Sequence, residues 1–179
     1  MPGAMTAILS SCGRYRYRLE RTVTHDAAAW TAGAERAVAF LMLNPSIADA
    51  TIDDPTIRRC VGYARAWGFG RLIVGNVYAL RATNPKALRT AVDPIGPENT
   101  PHLKAIIDAA QLVVCAWGAN ADRARARAVV GLICAAGQQL HVLGVTKDGH
   151  PRHPLYARAD LCPTPWDGYA DDDEHGHHA

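Results

Sequence analysis

Polar side chains follow or interrupt several apolar runs of this chain, and their types suit chemistry on a heterocyclic ring. Asn44 follows the run 37–43, Asn76 interrupts the run 71–77, and His150 and His153 follow the run 140–145. An amide has both donors and an acceptor for the edge of a nucleobase, and an imidazole can donate a hydrogen bond to a departing anion.

Each amide also has a structural interpretation. Asn76 lies in an otherwise apolar strand, where an amide without a partner costs on the order of 1 to 3 kcal/mol, so it must bond either to backbone or to a ligand. Asn44 could orient a water molecule, or it could cap the turn that ends its strand, as Asn does whatever the function. Tyr78 could stack on a base, although aromatic residues at such spacing are more often plain core.

The loop after the last apolar run combines histidines with cations. Pro151 and Pro154 stiffen the backbone around His150 and His153, which favours a functional loop over a merely solvated one. Basic residues in this loop and in two earlier segments are the predicted contacts to phosphate or nucleic acid. These residues are Arg58, Arg59, Arg81, Lys147 and Arg152.

A rival set of side chains could hold a divalent cation for phosphoester hydrolysis. It consists of Asp49, Asp53, Asp54, His150 and His153. Two of these carboxylates already suit the start of a helix, Asp54 as its N-cap and Asp53 as a companion at the positive end of the helix dipole. The five cysteines include no C-x-x-C pair, which argues against a zinc ribbon. The sequence therefore favours a site without metal and without cofactor.

Alternating apolar runs and amphipathic segments must position these residues. The four core strands are predicted at 37–43, 71–77, 112–117 and 140–145, and helices are predicted from Pro55, from about Thr100 and from about Ala121. This order predicts an α/β fold, a three-layer α/β/α sandwich with a four-stranded, mostly parallel central sheet. The segment 14–20, RYRYRLE, alternates basic and bulky residues and predicts an additional N-terminal edge strand or hairpin. Ligands of such sheets bind beyond the carboxyl ends of the strands.

Length and charge predict one basic domain. The 179 residues suit a single domain at 1–166, followed by an acidic, His-rich tail at 167–179 that we expect to be disordered. Residues 1–166 hold all 19 Lys and Arg and 17 − 5 = 12 acids, a surplus of +7. That surplus suits a nucleic acid or nucleotide partner. The longest apolar run, 37–43, is far short of the roughly 18 residues that a membrane span requires, so we expect a cytoplasmic protein, and a monomer is favoured.

The motifs at the four strand ends resemble the uracil-DNA glycosylase superfamily over residues 37–156. LMLNPS is similar to the water-activating motif of the mismatch-specific branch, and RLIVGNVYALRAT resembles the motif whose asparagine bonds the flipped base. LVVCAWGANA resembles the third strand with its Trp-Gly turn, and LHVLGVTKDGHPRHPLY resembles the fourth strand with its His-Pro motif. The resemblance implies a glycosylase-like fold in which Asn44 positions water, Asn76 with Tyr78 holds the base, and His150 or His153 faces the leaving group. Asn44 stands where other branches carry an aspartate.

A second resemblance is to a bacterial and phage family of unknown function. It is carried by MLNPS, DDPTIRRC, WGFGRLIVGN, ALRAT, GPEN, AWG and TKDGHPRHPLY, with Val145 in place of a leucine before the last motif. This second resemblance implies no reaction. The sequence therefore predicts an enzyme that recognises a nucleobase and hydrolyses an N-glycosidic bond in DNA or a nucleotide. The alternatives are a non-catalytic nucleotide or nucleic-acid binding module and a metal-dependent phosphoesterase.

Overall fold

A computed structural model describes residues 5–23, 36–46 and 53–170. The strands are β1 (Met5–Leu9), β2 (Arg16–Thr22), β3 (Ala37–Met42), β4 (Arg71–Asn76), β5 (Leu112–Cys115), β6 (Leu140–Val142) and β7 (Thr164–Pro165). The α-helices are α1 (Pro55–Ala66), α2 (Ala87–Thr90), α3 (Asn99–Ala109) and α4 (Arg123–Ala135), and a 3₁₀ helix spans Pro154–Tyr156. Asp49 of the rival metal set and residues 171–179 of the acidic tail lie outside the described residues.

The sheet is mixed and has seven strands in the order β1-β2-β4-β3-β5-β6-β7. The central strands β4, β3, β5 and β6 run parallel, whereas β1, β2 and β7 are antiparallel to their neighbours. The predicted α/β class is confirmed, but the prediction of a four-stranded sheet is wrong. The free backbone groups at the two edges of the parallel core pair with further segments, the β1–β2 hairpin on one side and the two residues of β7 on the other.

Helices cover both faces of the sheet, as the apolar character of the strands predicts. Alternate residues of β3 belong to opposite cores: Ala39 and Leu41 pack with α3 and α4, and Val38 and Phe40 pack with α1. The close contact between β4 and α3 depends on Gly75, because a Cβ atom there would lie 2.9 Å from Ile106 Cδ1. The two cores hold the carboxyl ends of the central strands at one rim of the sheet.

Helix α1 begins as its sequence predicts. Asp54 accepts a hydrogen bond from the Ile57 backbone N–H at 2.8 Å, and Pro55 occupies the first turn. The helix ends before Gly68, whose φ of +77° is the left-handed conformation that favours glycine after a helix. This cap fixes the first turn of α1 at the same rim as the end of β3.

A β-bulge changes the direction of side chains at the start of β2. Ile8 of β1 pairs with Arg18, but Leu9 pairs with Arg16, so Tyr17 is the extra residue. Tyr17 consequently packs in the core on the α3 side, while Leu19 packs in the core on the α1 side. In a regular strand these two residues would share a face. The bulge therefore turns Arg16 towards α1.

The segment after the 3₁₀ helix returns across the domain. The Trp166 backbone N–H donates to Leu140 O at 2.9 Å, and the rings of Trp166 and Tyr169 pack edge to face, with Trp166 also packing against Trp117. Across the described ranges, each helix is too short or too polar to cross a bilayer.

Candidate functional site

A cleft of about 640 Å³ opens at the carboxyl ends of β3, β4, β5 and β6. It lies where β3 is flanked by β4 on one side and β5 on the other, which is the point at which the strand order reverses and where open α/β sheets bind ligands. Its volume falls in the range of about 300 to 1,000 Å³ that is typical of small-molecule sites. The cleft brings together five of the predicted site residues. These are Asn44, Asn76, Lys147, Arg152 and His153.

Asn76 lines this cleft, and one atom of its side chain lacks a hydrogen-bond partner. The residue is 3% exposed, and its backbone carbonyl accepts a hydrogen bond from Asn99 Nδ2 at 3.0 Å. Its side-chain Oδ1 is buried and has no hydrogen-bond partner among the described residues. A buried amide oxygen in this state costs free energy that a ligand N–H would recover.

Asn44 is anchored through its nitrogen. Its Nδ2 donates to Pro45 O at 3.0 Å and to Ala82 O at 2.8 Å, so the two carbonyls fix which end of the amide is the nitrogen. The Oδ1 atom is then the end of the amide that can accept a hydrogen bond from a molecule in the cleft. The turn-capping role and the water-orienting role that the sequence left open are compatible, because they use different atoms.

His153 carries a defined tautomer in its neutral form. Its Nδ1 accepts a hydrogen bond from the Leu155 backbone N–H at 3.3 Å, which leaves the proton on Nε2. Burial lowers the pKa of the His153 imidazole, and the negative charge of Asp54 opposes that shift. His153 is therefore neutral at pH 7 and offers one N–H donor.

Asp54 supplies a carboxylate to the cleft, and both of its oxygens are engaged. Oδ1 caps α1 by accepting from Ile57 N, and Oδ2 accepts from Ser46 Oγ at 3.0 Å. Among the described residues that line the cleft, Asp54 is the one acidic side chain. Its fixed position makes it a source of negative charge more than a free general base.

His150 lies outside the cleft lining. It is 8% exposed, and its Nδ1 is 3.0 Å from the Tyr169 hydroxyl, whose oxygen also accepts from Trp117 Nε1 at 2.9 Å. Burial lowers the pKa of His150, as does the nearby charge of Arg123, while Asp148 opposes the shift. Of the two histidines that the sequence could not separate, the structure brings His153 to the site.

Four other predicted residues also lie away from the cleft lining. Tyr78 is part of the core on the α3 side, where its hydroxyl accepts from the Asp122 backbone N–H at 3.3 Å and burial raises its pKa. Arg81 donates to Gly13 O at 3.1 Å. Arg58 and Arg59 line a separate depression on the surface of α1.

The rival metal ligands are dispersed. Asp53 accepts from Arg21 Nε at 2.7 Å, Asp54 caps α1, and His150 contacts Tyr169. Within residues 5–23, 36–46 and 53–170, no group of three or more His, Cys, Asp or Glu side chains lies close enough together to hold a metal ion.

Arg16 is a cleft residue that sequence reasoning missed. The residue is 5% exposed, and its Nε has no hydrogen-bond partner among the described residues. Burial lowers the pKa of the guanidinium to about 10, with Asp54 opposing the shift and Arg81 and Arg21 adding to it. The alternation of RYRYRLE indicated a solvated basic face, and the bulge that turns this one arginine inwards leaves no mark in that pattern.

A family model described as a protein of unknown function (DUF1643) matches residues 16–155. The chain belongs to this family. The matched DUF1643 region begins at Arg16 and includes β2 to β6 and each described residue of the cleft except Tyr156. Strands β1 and β7, together with Trp166 and Tyr169, lie beyond the matched DUF1643 region. Comparison with curated proteins finds no match, and comparison with solved structures finds none either.

Proposed function

We propose that the cleft binds a nucleobase by its edge and hydrolyses the N-glycosidic bond of a nucleotide or of DNA. The supporting observation is the buried, unpartnered Oδ1 of Asn76, which shares one cleft with Asn44 and His153. The resemblance of the four strand-end motifs to the uracil-DNA glycosylase superfamily is consistent with this assignment.

Each side chain is assigned a role from its donor or acceptor atom that makes no hydrogen bond within the described residues. Asn76 Oδ1 accepts from an N–H of the base, and Asn44 Oδ1 accepts from the attacking water. The water oxygen bonds to the anomeric carbon as the glycosidic electron pair leaves with the base, and the proton that the water loses to solvent is matched by one that the departing base takes up from solvent. His153 donates its Nε2–H to the negative charge that develops on the base. Because an amide is a poor base, we expect slow turnover.

Release of free base tests this function. The protein is incubated with nucleosides, nucleoside monophosphates and oligonucleotides that carry deaminated or damaged bases, and the released base is measured by mass spectrometry. We expect release from at least one substrate, with a loss of at least about a hundredfold in Asn76→Ala and in His153→Gln. His150→Gln is the matched control and should retain the activity, because His150 contacts Tyr169 outside the cleft. No release from any substrate would contradict the proposed reaction.

A non-catalytic binding module is the second candidate, and one observation favours it. Both oxygens of Asp54 accept hydrogen bonds from the protein, so the described part of the cleft holds no carboxylate free to act as a base. A module of this kind would retain a nucleotide without cleaving it. Native mass spectrometry of the purified protein separates the two candidates, since a bound, intact nucleotide that Asn76→Ala no longer retains supports binding alone.

A further inference from the structure

The start of β2 lies beside the end of β4 because the two strands are antiparallel. The Arg16 backbone N–H donates to Ala79 O at 2.9 Å, just beyond the carboxyl end of β4. The bulge at Tyr17 directs the Arg16 side chain to the α1 side of the sheet, where it lines the cleft with Asp54. An antiparallel edge strand thus contributes a charge to a rim that is otherwise built from parallel strands.

The buried guanidinium of Arg16 lacks the partner that its neighbour on the same strand has. Arg21 is 3% exposed and pairs with Asp53 Oδ1 at 2.7 Å. Arg16 is 5% exposed, its Nε has no hydrogen-bond partner, and none of the ion pairs formed among the described residues includes it. Burying a cation is costly unless it is paired, so the position calls for an anionic group from outside the protein.

The rest of the cleft also favours an anion. Arg16, Lys147 and Arg152 face a single carboxylate, Asp54, among the described lining residues. Both oxygens of that carboxylate are held by hydrogen bonds, one from Ser46 and one from the first turn of α1, so Asp54 lowers the cost of burying Arg16 through its charge alone and forms no ion pair with it among the described residues. The first turn of α1 also lines the cleft, but the carboxylate of Asp54 already caps the positive end of this helix, so the unpartnered cation that remains for an anion is Arg16.

We propose that Arg16 binds the terminal phosphate of the ligand, so that the cleft takes a nucleotide with a phosphate monoester in preference to a neutral nucleoside. This inference rests on the proposed function in that a nucleobase fills the part of the cleft near Asn76. Lys147 and Arg152 follow β6, which β4, β3 and β5 separate in the sheet from β2, the strand that begins at Arg16.

A terminal phosphate fits the burial of Arg16 better than a phosphate inside a polymer. A group that reaches a guanidinium only 5% exposed must itself be enclosed. A phosphate monoester offers three acceptor oxygens and a charge of about −1.5 to −2 at pH 7. A phosphodiester carries one charge, and its chain continues on both sides. The planar guanidinium can also bind two phosphate oxygens at once.

Calorimetric titration tests the proposal with four ribonucleosides, their 5′-monophosphates, a dinucleotide with an internal phosphodiester, and pyrophosphate. We expect at least one monophosphate to bind about tenfold or more tightly than its nucleoside. Arg16→Gln should weaken monophosphate binding by about tenfold to a hundredfold, which is the effect of losing a hydrogen bond to a charged group. The same variant should leave the affinity for the nucleoside within about twofold of that of the unsubstituted protein. The matched control is Arg65→Gln, which removes the same charge near the far end of α1.

Two results would overturn the proposal. Equal weakening of nucleoside and monophosphate in Arg16→Gln would mean that Arg16 contacts the base. Dinucleotide binding as tight as monophosphate binding, and equally sensitive to Arg16→Gln, would mean that the site takes an internal phosphate. Circular dichroism and the urea midpoint establish that each variant is folded, and Arg16→Lys, which keeps the charge, should retain part of the preference for phosphate.

Pyrophosphate separates this proposal from the proposed function. If pyrophosphate binds and Arg16→Gln abolishes that binding while Asn76→Ala changes no affinity, the phosphate site stands and base recognition fails. If the nucleosides bind and depend on Asn76 while the monophosphates bind no more tightly, base recognition stands and the phosphate site fails. If neither the monophosphates nor pyrophosphate bind, the proposed phosphate site is also overturned.

Discussion

Arg16, Asn76 and Asn44 show three different states of a polar side chain in one cleft. Asn44 is anchored by two backbone carbonyls and keeps one oxygen for a ligand. Asn76 is held by its backbone, through Asn99, while its side-chain oxygen lacks a partner. Arg16 is buried with an unpartnered Nε. Asn76 and Arg16 each bury one polar atom without a partner, so we expect an empty cleft to lower stability at these two residues more than at Asn44.

At the residue scale, Arg16→Met should stabilise the protein without ligand. Methionine fills similar space without a charge, so the cost of burying an incompletely paired guanidinium is removed. We expect the free energy of unfolding to rise by about 1 kcal/mol, as a higher urea midpoint with an unchanged m value. Arg16→Lys is the control and should show no such gain. A lower midpoint in Arg16→Met would show that the protein itself already compensates the charge.

At the same scale, His150, which is buried, and His153, which is partly buried, predict how stability depends on pH. Burial lowers the pKa of His150 and His153 in the folded protein, so the unfolded chain binds protons first as the pH falls through about 6.5. Stability is therefore complete above that value and decreases as the pH drops from 6.5 towards the lowered pKa values. Urea midpoints measured between pH 7.5 and 5.5 should fall, and less steeply in a His150→Gln, His153→Gln double variant. An identical slope in that variant would contradict the prediction.

At the element scale, an added methyl group at Gly75 should strain the contact between β4 and α3. A Cβ atom there would lie 2.9 Å from Ile106 Cδ1 and 3.0 Å from Leu103 Cδ2. We expect Gly75→Ala to lower the free energy of unfolding by about 1 to 3 kcal/mol, the usual effect of overpacking a core. Gly62→Ala, where nothing lies within 4 Å of the added atom, is the matched control in α1 and should not be destabilised.

The elements differ in how far the sequence predicts them. Helix α1 carried an N-cap, a proline and a closing glycine, and the structure confirms all three signals. The four apolar runs correspond to the four parallel strands β3, β4, β5 and β6. They were predictable because a strand that is buried on both faces has a continuous apolar sequence. Strand β7 has two residues and no periodicity, so its pairing with β6 depends on tertiary contacts that the local sequence does not encode.

The site was predictable where a residue follows directly from a strand end. Asn44, Asn76 and His153 meet in the cleft because parallel strands bring their carboxyl ends together. The sequence could not tell which of His150 and His153 lies in the cleft, because His150 contacts the hydroxyl of Tyr169, a residue from a later segment, outside the cleft. Arg16 depended on a bulge, which is a matter of pairing with β1 and has no signature in the residues of β2 themselves.

At the scale of the whole molecule, the C-terminal segment supports the cleft from outside the matched family region. Tyr169 links Trp117, which lines the cleft, to His150 through one hydroxyl group. Tyr169→Phe removes that hydroxyl and leaves the Trp117 N–H without its partner. We expect a loss of about 1 to 2 kcal/mol in the free energy of unfolding, measured by urea denaturation. Tyr156→Phe is the control, because Tyr156 is largely exposed and should change stability little.

The Arg-Tyr repeat at residues 14–18, which includes the start of β2, affects what happens if β2 pairs with β4 in the wrong register. Arg14, Arg16 and Arg18 alternate with Tyr15 and Tyr17. If β2 slid by two positions along β4 in either direction, Arg14 or Arg18 would take the place of Arg16. A chain misaligned by two residues would therefore still place an arginine at the position of Arg16. In a strand without this repeat, the same shift in pairing would remove the positive charge from the rim.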